Sequence, residues 1–298
     1  MPDIQIETVA TLAEARDQLK AADRFDVALI DLSLPDGSGL ELLGEIRAQQ
    51  LDIAVLMLTG SGDQRAAIAA LQSGALGFDS PQAPVAITAP GRPDRPRLVA
   101  PRDLPRRRPG SLEGRVSLLH ALAHIEFNAI NLAWDAVYRF RGMPDAFYTD
   151  WARVAYEEAH HYRLLSQRLQ ALGSAYGALD AHDGLWEMAC KTAHDPLVRM
   201  ALVPRVLEAR GLDVTPGMME RLEKAGDSQT VSVLEIIFRD EIGHVEIGSR
   251  WFRYLCLGRG LEPKDTFHGL LEQHMKGRIK GPFALEARLA AGFAQDEL

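Results

Sequence analysis

Residues 155–165 read AYEEAHHYRLL and contain two overlapping Glu-x-x-His pairs, Glu157 with His160 and Glu158 with His161. On a helix, residues three or four positions apart share a face. The helical neighbours of the second pair are apolar, whereas those of the first pair are mainly charged. We therefore expect Glu158 and His161 to face the core, and Glu157 and His160 to face outwards and be dispensable.

A second Glu-x-x-His pair, Glu241 with His244, lies on another apolar helical face, within IIFRDEIGHVEIG at residues 236–248. Two further glutamates, Glu126 and Glu208, also lie in apolar helical settings. Glu126 precedes the Glu of its Glu-x-x-His pair by 32 residues, and Glu208 precedes its own by 33. This near-equal spacing predicts two similar helical hairpins in a pseudo-twofold arrangement.

Four carboxylates buried together are energetically costly unless cations neutralise them. Four carboxylates and two imidazoles are the ligand set of bundles that hold two iron or two manganese ions. Nitrogen and oxygen ligation without a thiolate suits iron or manganese better than structural zinc. The sequence thus predicts two iron (or manganese) ions per chain. The expected ligands are Glu126, Glu158, His161, Glu208, Glu241 and His244.

Helical periodicity dominates residues 111–298 and predicts a mainly α fold there. Asp195 and Asp227 are expected N-caps, and Gly173 and Gly211 stand where helices are expected to end. Pro204, one turn before Glu208, predicts a kink that opens the helix beside the metals. The predicted long helices span residues 112–140, 146–172, 197–210 and 228–257, and the shorter ones span 184–192, 216–224 and part of the C-terminal segment.

The first 80 residues alternate short apolar runs with helical patterns, in the order βαβαβα. Strands that are joined through helices run parallel, with right-handed crossovers. We therefore expect a small α/β region, in which the segments IQIETVA and DVALIDL pair directly and make a three-stranded sheet with the strand that follows.

Residues 26–43, DVALIDLSLPDGSGLELL, and residues 56–60, LMLTG, resemble the phospho-acceptor strand, its loop and the next strand of bacterial response-regulator receiver domains. The resemblance implies a flavodoxin-like fold with Asp31 as phospho-acceptor and Thr59 as switch hydroxyl. A receiver's magnesium-binding acidic pair has no counterpart before Ile4, and its last strand, with a lysine and a proline, is replaced by GALGFDSPQ. Without those groups nothing offsets the phosphoryl charge, which favours a truncated receiver used for docking or structure.

Residues 81–110 carry eight prolines, which forbid a helix and favour extended backbone. This segment is a connector, and its arginines include Arg106, Arg107 and Arg108. A solvated linker or a strap across an acidic bundle is favoured over a site for an anionic partner.

The 298-residue chain carries a net charge of -8, which argues weakly against a dominant nucleic-acid surface. Two cysteines are too few for a disulfide framework. Neither a secretion signal nor an apolar run of about 18 residues is present, so we expect a cytoplasmic protein that does not cross a membrane.

Four segments of the helical region, each containing at least one of the expected metal ligands, resemble a bacterial ferritin-like di-iron family of unassigned function. That family is more distantly similar to the di-iron hydroxylases that modify tRNA. The resemblance runs from about Pro90 to Phe293 and implies a ferritin-like four-helix bundle, but no particular substrate. The segments are HALAHIEFNAINLAWDAVYRF, DWARVAYEEAHHYRLL, RMALVPRVLEARGLDVTP and DEIGHVEIGSRWF.

These features predict a non-haem di-iron or di-manganese oxidoreductase that acts on dioxygen or peroxide and an organic substrate, such as a hydroxylase. One alternative is an iron-handling or peroxide-consuming ferritin-like protein with the same ligands. Another is a signalling adaptor, in which the receiver-like region docks a protein partner and the bundle is a scaffold. A dimer is compatible with each of these hypotheses.

Overall fold

The computed structural model describes residues 7–20, 27–31, 33–49, 51, 54–58, 84, 87–104, 110–275 and 281–297. The chain divides into two compact units. One comprises Met1–Pro84 with Arg141–Ala152, and the other comprises Val85–Phe140 with Arg153–Leu298. The described part is mainly helical, which confirms the predicted class. None of the helices within it combines the length and apolar character needed to cross a membrane.

The first unit contains the predicted parallel strands, since β1 and β4 pair in parallel with Val27 opposite Ala54. β2 and β3 form a short antiparallel pair. Residues 7–10 of the expected first strand adopt no strand, and residues 1–6 lie outside the described residues, as do Thr59 and the helix expected after it. Its elements are α1 (Leu12–Leu19), β1 (Val27–Asp31), β2 (Ser33–Leu34), β3 (Gly37–Ser38), α2 (Gly39–Ala48) and β4 (Ala54–Leu58).

Helix α1 begins at a double cap. Thr11 and Glu14 form a capping box at its N-terminus. The Asp36 carboxylate, from the turn between β2 and β3, accepts hydrogen bonds from the backbone N–H groups of Leu12 and Ala13 at 2.6 and 2.9 Å. This loop therefore fixes α1 over a small apolar core. The core residues are Leu12, Ile30, Leu42, Leu43 and Ile46.

Eight α-helices lie wholly or mainly in the second unit among its described residues; the one that begins at Asp145 has its first eight residues in the first unit. A π-helical turn joins two of the eight into one continuous helical segment. We call Val203–Glu208 the π-turn. The helices are α3 (Leu112–Arg139), α4 (Asp145–Ala171), α5 (Gly184–Lys191), α6 (Pro196–Leu202), α7 (Ala209–Lys224), α8 (Ser228–Gly258), α9 (Pro263–Met275) and α10 (Leu285–Ala290), with 3-10 turns at Pro101–Asp103 and Gln295–Glu297.

The expected helix ends are confirmed except at Gly211. Asp195 accepts a hydrogen bond from the Leu197 N–H, and Asp227 accepts one from the Thr230 N–H. The prediction that a helix ends at Gly211 is wrong, because α7 continues through it to Lys224. The flanking residues Ala209 and Leu212 are fully buried, so packing overrides the low helix propensity of glycine.

One apolar cluster joins the four long helical segments of this unit. It takes side chains from α3, α4, α7 and α8, which therefore enclose a shared interior. The buried members are Leu119, Ala123, Leu165, Leu169, Leu222, Leu234 and Ile237.

The π-turn occupies the place where the sequence predicts a kink. Pro204 lacks a backbone N–H and lies in its first turn. A Cβ atom added to Gly248 of α8 would lie 2.3 Å from the Cβ and Cγ atoms of Pro204. The π-turn therefore packs into the space left by this glycine, which brings it close to α8.

The Pro- and Arg-rich segment is a strap on the helical unit over residues 87–104. Arg92 donates to the Asp183 carboxylate at 2.8 and 2.9 Å, and Arg97 donates to Asp180 at 2.6 Å. The Trp186 indole N–H adds a hydrogen bond of 3.1 Å to a strap carbonyl. The three consecutive arginines that follow lie outside the described residues.

We expect Gly248→Ala to destabilise the metal-free protein by about 1–3 kcal/mol, because the new methyl group overlaps the Pro204 ring. The free energy of unfolding in denaturant measures the effect. Gly243→Ala on the same helix is the control, since nothing lies within 4 Å of its added Cβ. It should instead stabilise the helix by roughly 0.5–1 kcal/mol. Equal effects of the two substitutions would contradict this account of the π-turn.

Candidate metal centre

The six predicted ligands come from four helical segments of the second unit. Glu126 lies on α3, Glu158 and His161 on α4, Glu208 at the end of the π-turn, and Glu241 and His244 on α8. Single ligand atoms of four of them lie within 4.8 Å of one another, a spacing that could hold a metal ion. The four are Glu126, Glu158, His161 and Glu241.

Glu158 stands at the centre of the group and is fully buried. The His161 Nδ1 atom lies 3.4 Å from one of its carboxylate oxygens and 3.5 Å from Glu126 Oε2. The His244 Nδ1 atom lies 3.1 Å from the other Glu158 oxygen and 3.8 Å from Glu241 Oε2. The same nitrogen of each imidazole thus faces one shared carboxylate.

The atoms that face this centre form no hydrogen bond of regular geometry with any described residue, although the imidazoles and carboxylates lie within ion-pair distance of one another. Buried polar atoms are nearly always paired, so a group of buried atoms without regular hydrogen bonds marks a candidate site for a metal ion. Every predicted ligand contributes at least one such atom, even Glu208 and Glu241, which are partly exposed elsewhere. The atoms are Glu126 Oε2, both oxygens of Glu158, His161 Nδ1, Glu208 Oε2, Glu241 Oε2 and His244 Nδ1.

Without metal, protons neutralise the centre. Burial, together with neighbouring carboxylates, raises the pKa of Glu126, Glu208 and Glu241. Burial disfavours the His161 imidazolium, but the carboxylates beside it outweigh that effect and raise its pKa to about 11. Burial also opposes ionisation of Glu158, yet its contacts with Glu126 and the imidazoles hold its pKa low. The other buried carboxyls therefore keep protons that a divalent cation would displace.

The outer nitrogen of each histidine binds a carboxylate from the opposite helix. His161 Nε2 on α4 lies 3.2 Å from Asp240 Oδ2 on α8, and His244 Nε2 on α8 lies 2.8 Å from Glu157 Oε2 on α4. A carboxylate at this position fixes the tautomer and ring orientation of a ligating imidazole, leaving Nδ1 free for metal. The two contacts hold both rings in a metal-binding orientation.

The interpretation of Glu157 as a dispensable surface residue is therefore not supported by the structure. Asp240, its counterpart, was missed altogether. Both residues directly precede the Glu of a Glu-x-x-His pair, so the repeated acidic dipeptide was the available signal. His160 does face outwards, where it contacts Arg163 at 2.9 Å.

The remaining candidates lie away from the centre. Asp31 is the last residue of β1, but its side chain is outside the described structure. His120 Nε2 accepts a hydrogen bond from the Gly177 N–H, and His124 contacts the Tyr176 hydroxyl at 2.9 Å. These two histidines therefore contact the loop after α4 and are not among the residues of the candidate centre.

Known protein families match the N-terminal and the C-terminal parts of the chain separately. Residues 59–298 match a family described as a protein of unknown function, DUF455. Residues 1–80 match the response regulator receiver domain. An uncharacterized protein of Haemophilus influenzae is 50% identical over 213 residues, which are 69% of this chain and 74% of that protein.

The matches to the receiver-like region cover less than a third of each relative. The response regulator protein PilR of Pseudomonas aeruginosa is 39% identical over 75 residues, 25% of this chain and 17% of the regulator. The DNA-binding transcriptional activator DevR/DosR of Mycobacterium tuberculosis is 38% identical over 68 residues, 23% of this chain and 31% of that protein. No solved structure gives a significant match.

We expect Glu157→Ala to weaken metal binding by about 10–100-fold, because His244 loses the carboxylate that orients its ring. Anaerobic titration with ferrous iron measures the affinity. His160→Ala, on the same face of α4, is the matched control and should bind as tightly as wild type. Unchanged affinity in Glu157→Ala would restore the interpretation of this residue as a surface acid.

We expect the metal-free protein to lose stability as the pH rises from about 7 to 8.5. The raised pKa values of the buried carboxyls and of His161 mean that the folded chain keeps protons which the unfolded chain has already lost above pH 6.5. Each proton released on unfolding lowers the free energy of unfolding by roughly 1.4 kcal/mol per pH unit. Urea unfolding across this pH window measures the slope.

Glu126→Gln provides the control for this slope. Its amide stays neutral at every pH, so the variant should lose the part of the pH dependence that the raised pKa of the Glu126 carboxyl contributes. A metal-free wild-type protein whose stability rises with pH across the same window would show that the carboxyls are not protonated in the fold.

Proposed function

We propose that this chain, which belongs to the DUF455 family of proteins of unknown function, is a ferritin-like protein that binds two iron or manganese ions and uses them to activate dioxygen. The observation that carries the proposal is the set of buried, unpaired ligand atoms contributed by all six predicted ligands. Such atoms are costly unless a cation binds them.

The arrangement of the helices supports the ferritin-like part of the proposal. Four long helical segments share one apolar cluster, as a four-helix bundle requires. Each half of the unit contributes one glutamate followed by a Glu-x-x-His pair. This pattern, with all ligands projecting inwards, is typical of di-iron and di-manganese carboxylate bundles.

The ligand chemistry favours iron or manganese. Carboxylates and imidazoles without a thiolate suit these metals. Neither cysteine is among the ligands, since Cys256 is buried elsewhere on α8 and Cys190 is exposed on α5. Glu126, Glu158, His161, Glu208, Glu241 and His244 would hold the ions.

Two ferrous ions bound here would supply two electrons to dioxygen at one place. The chain's own residues provide the setting for that chemistry. Val154, Leu165 and Ile237 lie one helical turn from ligands and are buried, so they exclude water from this side of the centre. Glu157 and Asp240 hold the outer nitrogens of the two imidazoles. The π-turn carries Glu208, and π-helical turns often occur at functional sites.

We expect the protein to bind about two iron or manganese ions per chain. The double variant Glu158→Ala with Glu241→Ala should bind none, because it removes the shared carboxylate and a second ligand. Elemental analysis after loading and dialysis measures the content. Glu235→Ala, an exposed glutamate of the same helix α8, is the control and should retain both ions. A double variant with full metal content would refute the site.

Oxygen consumption by the ferrous protein then separates the proposed activity from its alternatives. Oxidation that stops at about two irons per chain is expected for an oxygen-activating enzyme. Continued oxidation of many irons per chain would instead favour iron handling. A chain that binds iron but never consumes oxygen would contradict the proposed activity and favour a scaffold.

A further inference from the structure

Arg205, in the π-turn, has a fully buried guanidinium group that the proposed chemistry does not use. Three phenylalanine rings surround it, and their centroids lie 4.7, 4.2 and 4.6 Å from its Cζ atom. One of its terminal nitrogens donates to the Glu297 carboxylate at 2.7 Å. The rings belong to Phe252 of α8, Phe267 of α9 and Phe293 after α10.

This set of contacts ties the π-turn to the segment of residues 293–297. A buried cation requires a counter-charge, which Glu297 supplies from a side chain that is itself only 6% exposed. The other guanidinium nitrogens, Nε and Nη1, have no hydrogen-bond partner among the described residues, and the ring faces provide their stabilising contacts. Removing Glu297 would leave the charge of Arg205 without its partner.

Other contacts hold the π-turn at different points. Pro204 lies against Gly248 of α8. Val203 packs in an apolar cluster with Leu132 and Trp186. Arg205 adds the one ionic contact of the π-turn among the described residues, and it is the contact that depends on residues 293–297.

Glu208, three residues after Arg205, is the one predicted carboxylate ligand that forms no ion pair with an imidazole among the described residues. Glu126 and Glu158 lie 3.5 and 3.4 Å from His161 Nδ1, and Glu241 lies 3.8 Å from His244 Nδ1. The Glu208 Oε2 atom is buried and unpaired, and no hydrogen bond from another described residue fixes its carboxylate. His161 and His244, by contrast, are each oriented by a carboxylate behind the ring. The position of Glu208 therefore depends on the backbone of the π-turn.

The four residues whose ligand atoms lie within 4.8 Å of one another include neither Glu208 nor His244. The His244 imidazole is nevertheless oriented by Glu157 and faces Glu158, whereas Glu208 has no such contact among the described residues. A first ion can therefore bind to the group of four, whereas a second ion also needs His244 and Glu208. The two metal positions are unequal in how much of their ligand set is already in place.

We infer that Arg205 is a positioning residue for Glu208, and that residues 293–297, by holding Arg205, control the binding of the second metal ion. The inference rests on the proposed di-metal function. According to this inference, the position of the second ion depends on residues 293–297, whereas the position of the first ion does not.

Anaerobic calorimetric titration of the full chain with ferrous iron tests this inference. Wild type should bind two ions per chain. Glu297→Gln and Arg205→Gln should lower the affinity for the second ion on the order of 10-fold or more, and leave the first unchanged. Arg205→Lys, which keeps a cation among the rings, should recover part of the loss. Glu297→Gln keeps Arg205 and its rings, so the test stands even where Arg205→Gln fails to fold.

Arg168→Gln is the matched control for a general loss of stability. Arg168 also pairs with a buried carboxylate, that of Asp227 at 2.7 Å, but it contacts α8 and its cap and no residue of the π-turn. This variant should retain both ions at wild-type affinity. Unfolding measurements on all variants show that each is folded at the titration temperature.

The outcomes separate the two proposals. Full second-ion affinity in Glu297→Gln and Arg205→Gln overturns the role of Arg205 and leaves the di-metal function standing. Loss of the second ion in Arg168→Gln to the same extent also overturns it, because the effect would then follow stability alone. A wild-type chain that binds no iron refutes the di-metal function and the inference together.

Discussion

Repulsion among carboxylates buried around Glu158 is the constraint on which the helical unit depends. Four acidic side chains from four helical segments cannot share an apolar interior as anions. In the metal-free chain the constraint is met by protons on the outer carboxyls and by two imidazolium groups facing Glu158. Both imidazoles face this one carboxylate.

The ligands could be predicted because helical periodicity converts sequence spacing into position on a face. Apolar neighbours of Glu158, His161, Glu241 and His244 mark their faces as buried, and the structure brings these side chains together. The roles of Glu157 and Asp240 could not be found in this way. Each of these acids binds a histidine of the other helix. Such a contact depends on how the two helices are rotated relative to each other, and the periodicity of one helix does not give that rotation.

The limits elsewhere have similar physical causes. Gly211 signals a helix end by propensity, but burial of its neighbours stabilises the helix through it. The parallel pairing of β1 and β4 follows from their connection through a helix. The same argument fails for residues 7–10 of the first expected strand, which adopt no strand although α1 likewise connects them to β1. Proline composition predicts extended backbone in the strap, yet its route is set by acidic residues about 80 to 90 positions away in the chain, such as Asp183.

Helices α4 and α8 each supply the acid that orients the histidine of the other, so neither hairpin can be separated from its partner without loss of these contacts. Each helical hairpin contains a complete acid-Glu-x-x-His sequence, so each resembles an autonomous metal-binding module. Its histidine, however, is oriented by the acid of the other hairpin. An isolated hairpin would keep the sequence motif but lose the carboxylate that orients its histidine. A chimera that joins hairpins from two relatives would have to preserve both acid–histidine contacts. The candidate centre is therefore complete only when both hairpins are present.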